Sequence, residues 1–166
     1  MTATPSKTSW RLSPWFLLSG LVLGLDQWTK QWIIDNFEYG RYQAVFPHFN
    51  LTRLHNEGAA FSFLADAGGW QKTFFIVLGF AVSAVITIWI MRLEKGRNKL
   101  LGAGLALILG GALGNVIDRL LYGHVIDFLD FYYGTFHWPA FNVADSCIFL
   151  GAVAVILDSF VNKPAA

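Results

Sequence analysis

Charged residues are scarce in this chain. Only 14% of its 166 residues are charged, whereas 55% are hydrophobic and 16% are aromatic, and a soluble domain carries about 25% charged residues. The sequence therefore predicts a protein whose solvent is a lipid bilayer. A net charge of +1 gives no reason to expect a nucleic-acid partner. The single cysteine, Cys147, excludes an internal disulfide and argues against a thiolate metal site.

Several catalytic signatures are also missing. No Gly-x-Ser-x-Gly elbow is present, and Cys147 lies in an apolar segment without an adjacent base, so nucleophilic catalysis is poorly supported. The four histidines show neither the spacing of an HExxH motif nor another compact ligand set. They are His48, His55, His124 and His137. We expect interfacial histidines, no metal and no cofactor.

Four apolar segments are long enough to cross about 30 Å of hydrocarbon as helices. They cover approximately residues 14–34, 73–93, 100–121 and 141–160. The expected fold is an all-α polytopic membrane protein with four transmembrane helices, forming one membrane-embedded domain over residues 1–166. In the outer segment 35–72, the runs 41–46 and 49–54 are rich in β-branched and aromatic residues, which predicts a small extracytoplasmic β-element.

The basic residues predict the orientation. The short loop after the second segment carries four of them against one acid, and Lys7, Arg11 and Lys163 flank the outermost segments, whereas residues 123–140 contain none. The four in the loop are Arg92, Lys95, Arg97 and Lys99. Because basic loops stay in the cytoplasm, we expect both termini there. The first segment is expected to be an uncleaved span, since no small-x-small cleavage site follows it.

This topology gathers nearly all the intramembrane polar residues at one depth, near the outer surface. The group comprises Asp26, Lys30, Asn115, Asp118, Arg119, Asn142 and Asp145. Asp158, at the inner end of the last segment, is the exception. Charged groups inside spans are costly and mark functional sites, so a single polar layer indicates a site.

Small residues recur every four positions in the third segment. They are Gly102, Ala106, Gly110 and Gly114. Such a stripe lets a neighbouring helix approach closely. It predicts a packing face that holds Asn115 and Asp118 rigidly beside another helix.

Two acids on either side of a short outer loop, Asp127 and Asp145, are the strongest candidates for chemistry. Neither has a basic residue among its helical neighbours. Two carboxyl groups about 3 Å apart cannot both ionise readily, so one holds a proton. The ionised member can then activate water while the other protonates a carbonyl oxygen, which predicts metal-free amide hydrolysis. From spacing alone, a proton or cation site is an equal alternative.

Two charged pairs accompany these acids. Asp26 and Lys30 are four residues apart, which predicts a same-face ion pair. That pair either neutralises its own charges or supports the site. Asp118 and Arg119 are adjacent and point to different helix faces, so we expect them to brace the outer helix ends rather than to catalyse.

Five strings contain these residues. They are Asp26-Gln-Trp-Thr-Lys30, Asn56-Glu-Gly-Ala-Ala-Phe-Ser62, Gly111-Ala-Leu-Gly-Asn-Val-Ile-Asp-Arg119, Val125-Ile-Asp-Phe128 and Phe141-Asn-Val-Ala-Asp145. Together and in this order, they resemble the motif set of lipoprotein signal peptidase, the bacterial type II signal peptidase. The resemblance implies a four-helix aspartyl endopeptidase that removes the signal peptide from diacylglyceryl-modified prolipoproteins, cutting before the lipidated cysteine.

The resemblance also implies residue roles. Asp127 and Asp145 occupy the positions of the catalytic pair. The implied substrate-binding and supporting residues are Asn56, Gly58, Asn115, Asp118, Arg119, Asn142, Ala144, Asp26 and Lys30.

A location and partners follow from the same resemblance. We expect a multi-pass monomer in the bacterial cytoplasmic membrane, with its site near the periplasmic face and with the lipid-modified substrate and membrane lipid as partners. The alternative from another class is a small proton- or cation-coupled transport subunit that uses the same aspartates. A transporter would continue its polar groups toward the inner leaflet, and the inner halves of these segments are almost wholly apolar.

Overall fold

The computed structural model describes residues 13–58, 69–93 and 98–161. Its elements, in chain order, are α1 (Pro14–Asn36), β1 (Tyr42–Phe46), β2 (Phe49–Asn56), α2 (Trp70–Arg92), α3 (Lys99–Leu121), β3 (Val125–Tyr133), β4 (Phe136–His137) and α4 (Val143–Val161). Lys7, Arg11, Lys95, Arg97 and Lys163, on which the predicted orientation rests, lie outside the described residues.

The protein is mostly helical, with a small antiparallel sheet. Within the described ranges, three helices are long and apolar enough to cross a membrane: α2, α3 and α4, with mean hydropathies of 2.5, 2.0 and 1.9. The helix α1 is equally long, at 23 residues, but its C-terminal half contains Asp26, Lys30 and Asp35. Because of these charges, α1 is less apolar than the other three helices and is not among the three candidate spans.

The helix α3 lies at the centre and packs against each of the other three helices. Its small-residue stripe is a packing face, as predicted, and the helix that it faces is α1. The Ser19 hydroxyl donates to the Ala106 carbonyl oxygen at 3.0 Å, and Gly110 lies against the Ser19 backbone and Val22. Gly102 meets Trp15, and Gly114 meets the Asp26 carboxylate. Residues further along α1 contact residues further along α3, so the two helices run parallel.

A second close approach joins α3 to α4. A side chain on Gly104 would meet the Gly151 carbonyl oxygen, and one on Gly151 would meet the Gly104 carbonyl oxygen. Gly111 lies against the Ala144 carbonyl oxygen in the first turn of α4. These glycines let two backbones pack without intervening side chains, as small residues do between membrane helices.

The sheet has four strands in the order β1-β2-β3-β4, with all neighbours antiparallel. The predicted β-element in the outer segment is confirmed as the β1–β2 hairpin, in which His48 takes a φ of 71°. Residues 123–140 connect α3 to α4, as predicted, but they are not an irregular loop, because they supply β3 and β4. Asp127 therefore lies on a strand and not at a helix end.

Packing explains why residues 125–133 form a strand. Ile126 and Phe128 lie in one cluster with Ile33 and Phe37, at the C-terminal end of α1. Since successive side chains on a strand point to opposite faces, Asp127 points away from that cluster. The strand β2 supplies the backbone partner, with Leu54 opposite Asp127 and an irregular register between Leu51 and Leu54.

Candidate active site

Asn142 connects the two candidate catalytic acids. Asp127, third in β3, is 3% exposed, and Asp145 is the third residue of α4. The Asn142 Nδ2 donates to Asp127 Oδ1 at 2.7 Å, and its Oδ1 accepts from the Asp145 backbone N–H at 2.9 Å. Asn142 thus caps the first turn of α4 and binds residues of both elements. The structure brings Asp127 and Asp145 to one site.

Asn56 binds Asp127 from the other side. It ends β2, and its Nδ2 donates to Asp127 Oδ2 at 2.9 Å. Its Oδ1 accepts from the Gly58 backbone N–H at 3.0 Å. The turn after β2 therefore fixes this amide, and both oxygens of Asp127 accept a hydrogen bond.

Asn115 binds Asp145. Its Nδ2 donates to Asp145 Oδ1 at 2.7 Å, and its Oδ1 accepts from Lys30 Nζ at 3.0 Å. The same ammonium contacts Asp26 Oδ2 at 2.9 Å and Asp118 Oδ2 at 2.8 Å. The predicted Asp26–Lys30 ion pair is confirmed, and it belongs to a larger buried cluster.

This cluster, formed by Asp26, Lys30 and Asp118, also anchors the backbone beside each acid. Asp26 Oδ1 accepts from the Ala144 backbone N–H at 2.8 Å, one residue before Asp145. Asp118 Oδ2 accepts from the Ile126 backbone N–H at 3.1 Å, one residue before the other acid. The two carboxylates and the ammonium are at most 2% exposed. The cluster therefore connects α1 and α3 to both candidate catalytic elements.

Arg119, in the last turn of α3, contacts both α2 and the turn after β2. Its Nη2 donates to the Gly58 carbonyl oxygen at 2.8 Å, and its guanidinium lies 4.9 Å from the centroid of the Phe75 ring on α2. A contact of this kind is a cation–π interaction. These contacts brace the N-terminal end of α2, the C-terminal end of α3 and the turn at Gly58.

The environment of Asp127 favours retention of a proton. Burial and, secondarily, the charge of Asp145 raise the pKa of Asp127 from 3.8 to about 7, and the hydrogen bonds from Asn56 and Asn142 oppose that rise. A carboxyl group of this kind changes protonation near neutral pH. The pair can thus supply one acid and one base at once.

Two features of this region escaped the sequence reasoning. Gln27 donates from Nε2 to Asp118 Oδ1 at 2.8 Å, although it lies within one of the recognised strings. Asp130, 2% exposed, accepts from Asn50 Nδ2 at 2.7 Å and lies 2.8 Å from His137 Nδ1. Its spacing of three residues from Asp127 gives no signal in the sequence, because no strand is predicted there. This group ties β2, β3 and β4 together.

Together, the fold and the site define a helical membrane protein with a pair of aspartates, one buried and one partly buried, held by amide donors. The family model described as Signal peptidase (SPase) II matches residues 18–161. The lipoprotein signal peptidases of Burkholderia mallei (strain SAVP1) and Burkholderia thailandensis are each 54% identical over 159 residues, which is 95% of this chain and 95% of each relative. That of Alteromonas mediterranea is 52% identical over 145 residues, covering 87% of this chain and 79% of that protein.

Two solved structures of bacterial membrane enzymes have the same fold. Determined by the in meso method at 2.3 and 1.9 Å resolution, they match with TM-scores of 0.79 and 0.75 at 30% identity. The match to the first covers 93% of this chain and 94% of that enzyme. The match to the second covers 92% of this chain and 96% of that enzyme.

The chain belongs to the signal peptidase II family, a family of bacterial inner-membrane enzymes. It is an aspartic-type signal peptidase, and its relatives support removal of signal peptides from prolipoproteins. The resemblance read from the five strings is confirmed. The transport alternative receives no support from these relatives.

Proposed function

We propose that Asp127 and Asp145 are the catalytic pair of this peptidase and that they share one proton. The observation that carries the proposal is the double contact of Asn142, which binds the Asp127 carboxyl at 2.7 Å and the Asp145 backbone at 2.9 Å. Asn115 donates to the Asp145 carboxyl from the facing helix. Two acids held this way can act in concert on one bound peptide.

The pair hydrolyses an amide without a covalent intermediate. The ionised carboxylate accepts a proton from water as the water oxygen attacks the scissile carbonyl carbon, and the protonated carboxyl donates to the carbonyl oxygen. In the second step, the proton taken from water passes to the leaving nitrogen as the C–N bond breaks. The tetrahedral hydroxyl returns its proton to the pair. Each transfer needs a carboxyl that changes protonation near the working pH, as Asp127 does.

The supporting residues hold this geometry. Asn56, Asn115 and Asn142 orient the carboxyl groups through their amides. Asp26, Lys30 and Asp118 support them from behind, and Ala144 participates through its backbone N–H. Gly58 orients Asn56 and binds Arg119 through its backbone. In this proposal, the turn at Gly58 and Arg119 lie beside the substrate.

The proposed substrate is a prolipoprotein that already carries diacylglyceryl on the cysteine after the scissile bond. A lipid-bearing substrate would keep its acyl chains in the bilayer and present its scissile bond at the outer leaflet, which is the depth proposed for the two acids. The enzyme therefore contacts membrane lipid as well as substrate, and we propose that it acts as a monomer.

We propose four spans, with α1 as the fourth, within one domain over residues 1–166. Support comes from α1 running parallel to α3 with contacts from Trp15 at Gly102 to Asp26 at Gly114, so that the two helices cover the same depth. Both termini then lie in the cytoplasm and the site lies near the periplasmic face. Single cysteines placed at Gly40 and Asn98 in a Cys147→Ala background should react with an impermeant thiol reagent from opposite sides of the membrane; labelling of both from one side would contradict the topology.

Cleavage of a diacylglyceryl-modified prolipoprotein tests the catalytic assignment. Asp127→Asn and Asp145→Asn should each abolish cleavage by the purified enzyme. Asp158→Asn is the matched control, because Asp158 lies at the other end of α4, where its Oδ1 accepts from the Leu101 N–H at 3.2 Å and an amide oxygen can accept equally well. Cleavage retained by either active-site variant would refute the pair, and activity removed by chelators would indicate a metal. The unmodified precursor should be cut far more slowly.

A further inference from the structure

We propose that a groove between the C-terminal end of α2 and the N-terminal end of α3 binds an anionic phospholipid. The groove has a volume of about 920 Å³, and sites for small molecules typically measure about 300–1,000 Å³. It lies at the opposite end of these helices from the contacts of Asn115 with Asp145 and of Arg119 with Phe75. The groove is therefore separate from the candidate active site.

A single stripe of side chains on α2 forms one wall of the groove. Val85, Ile88, Trp89 and Arg92 line it, and their spacing of i, i+3, i+4 and i+7 places them on one helix face. All four are exposed. The stripe is about 10 Å long, apolar at its start and cationic at its C-terminal end. A phospholipid has the same order, with an apolar acyl chain below an anionic phosphate.

The other side of the groove comes from α3 and from the residue that follows α2. Leu93 and Leu101 line it and also pack against the buried apolar cluster between α2 and α3, so the fold fixes the apolar floor. Asn98 lines the polar end. It precedes α3 with a φ of 54°, and its side chain makes no capping hydrogen bond. The site is thus concave, which an aromatic and basic anchor on a lone helix would not be.

The polar end of the groove offers donors. Within the ranges that the structure describes, neither the Arg92 guanidinium nor the Asn98 amide has a hydrogen-bond or ion-pair partner. None of the lining residues is acidic. Asp158 on α4 accepts from the Leu101 backbone N–H at 3.2 Å, and it does not line the groove. A guanidinium binds a phosphate through two parallel hydrogen bonds, so the expected ligand group is a phosphate.

The charge of the sequence around the groove favours a lipid over the signal peptide as the occupant. Residues 92–99 contain four basic residues and one acid, and such segments attract anionic lipid headgroups. A signal peptide begins with a basic region, which these charges would repel. In the orientation proposed above, this end of the bundle lies in the cytoplasmic leaflet, but binding itself does not depend on that orientation.

The apolar wall favours a lipid over free phosphate. Phosphate alone would use only Arg92 and Asn98 and would leave Val85 and Ile88 uncovered. Trp89 lies between these two parts of the groove, and tryptophan is enriched where acyl chains meet headgroups. The structure therefore assigns the phosphate to Arg92 and one acyl chain to the apolar part of the stripe.

Thermal unfolding of the delipidated full-length enzyme in detergent tests the choice of ligand. Dioleoyl phosphatidylglycerol should raise the midpoint by about 5 °C near saturation, because a ligand that binds only the folded state stabilises it. Dioleoyl phosphatidylcholine, which has the same chains and no net charge, should give less than half of this rise. Equal rises with the two lipids, or the full rise with inorganic phosphate alone, would overturn the proposal.

Variants of the two basic residues on α2 test the position of the phosphate. Arg92→Gln should lose more than half of the rise caused by phosphatidylglycerol, and Arg92→Lys should keep more of it because the charge remains. Lys72→Gln is the matched control, since it removes the same charge from the other end of α2, where Lys72 is also exposed. Equal losses in Arg92→Gln and Lys72→Gln would show a general attraction of charge and refute the site.

Quenching by lipids with brominated acyl chains tests the position of the chain without any change at Arg92. The protein has seven tryptophans. Brominated phosphatidylglycerol should quench their fluorescence more strongly than brominated phosphatidylcholine, and this excess should disappear in Trp89→Phe. Trp70→Phe, at the other end of α2 and also exposed, should keep the excess. If the excess survives in Trp89→Phe, the lipid lies elsewhere and the proposal fails. Neither measurement uses cleavage, so the result is independent of the catalytic pairing.

Discussion

Replacement of Lys30 with methionine probes how the buried cluster behind the site sustains catalysis. The substitution keeps most of the side-chain length but removes the ammonium that contacts Asp26, Asp118 and Asn115 at 2.8–3.0 Å. The two carboxylates are 0% and 1% exposed, so they would be left without their shared counter-ion. Removing one partner of a buried ion pair costs about 3–5 kcal/mol. At about 2–4 °C per kcal/mol for a chain of this size, the unfolding midpoint should fall by about 6–20 °C.

The catalytic effect of Lys30→Met should fall on kcat. Lys30 is separated from Asp145 by the Asn115 amide, so its loss frees that amide to rotate without removing a substrate contact. A displacement of about 1 Å in a catalytic group can cost about 100-fold in rate. We therefore expect kcat to fall by about 100-fold while KM changes little. The assay is steady-state cleavage of the lipid-modified precursor at a temperature where the variant is folded.

A charge-neutral variant separates stability from positioning. In Asp26→Asn/Lys30→Met/Asp118→Asn, the amide oxygens can still accept from the Ala144 and Ile126 N–H groups, but no buried charge remains unpaired. This variant should recover much of the lost stability, because replacing a whole buried ion cluster is far less costly than breaking it. It should remain slow, because Asn115 still lacks Lys30. A Lys30→Met enzyme with wild-type kcat, or a neutral variant that regains full activity, would refute the positioning role.

Local rules predicted the helices and one contact of this cluster. The apolar runs gave the four helices to within three residues at each end, since the thickness of a bilayer sets their length. The four-residue spacing of Asp26 and Lys30 was enough to predict their ion pair, because residues i and i+4 share a helix face. The small-residue stripe likewise predicted a packing face on α3.

Contacts between distant residues were beyond these rules. Lys30 reaches Asn115, which is 85 positions away, and nothing in either segment specifies which helix faces meet. The sequence predicts Asp127 near Asp145 as a residue at the end of a helix, whereas Asp127 lies on the strand β3. Its strand depends on β2 for backbone partners and on the end of α1 for burial. The donors on both oxygens of Asp127 come from two other elements, so their orientation could be known only from the fold.

Two further predictions follow from the same geometry. Gly111→Ala should lower activity and cost about 1–3 kcal/mol of stability, because its methyl group would meet the Ala144 carbonyl oxygen beside Asp145; the control Gly24→Ala meets no heavy atom within 4 Å and should unfold and cleave like wild type. Since the pKa of Asp127 is raised from 3.8 to about 7 on folding, the folded state binds more protons than the unfolded state between about pH 4 and pH 7. Stability should therefore fall as pH rises through this window, by at most about 4 kcal/mol, and cleavage should fall above an apparent pKa of about 7, which belongs to the pair. Denaturant titrations and pH–rate profiles measure both effects. Asn56→Ala, which removes a hydrogen bond that lowers this pKa, should move the alkaline limb to higher pH, and a shift to lower pH would contradict the role given to that amide.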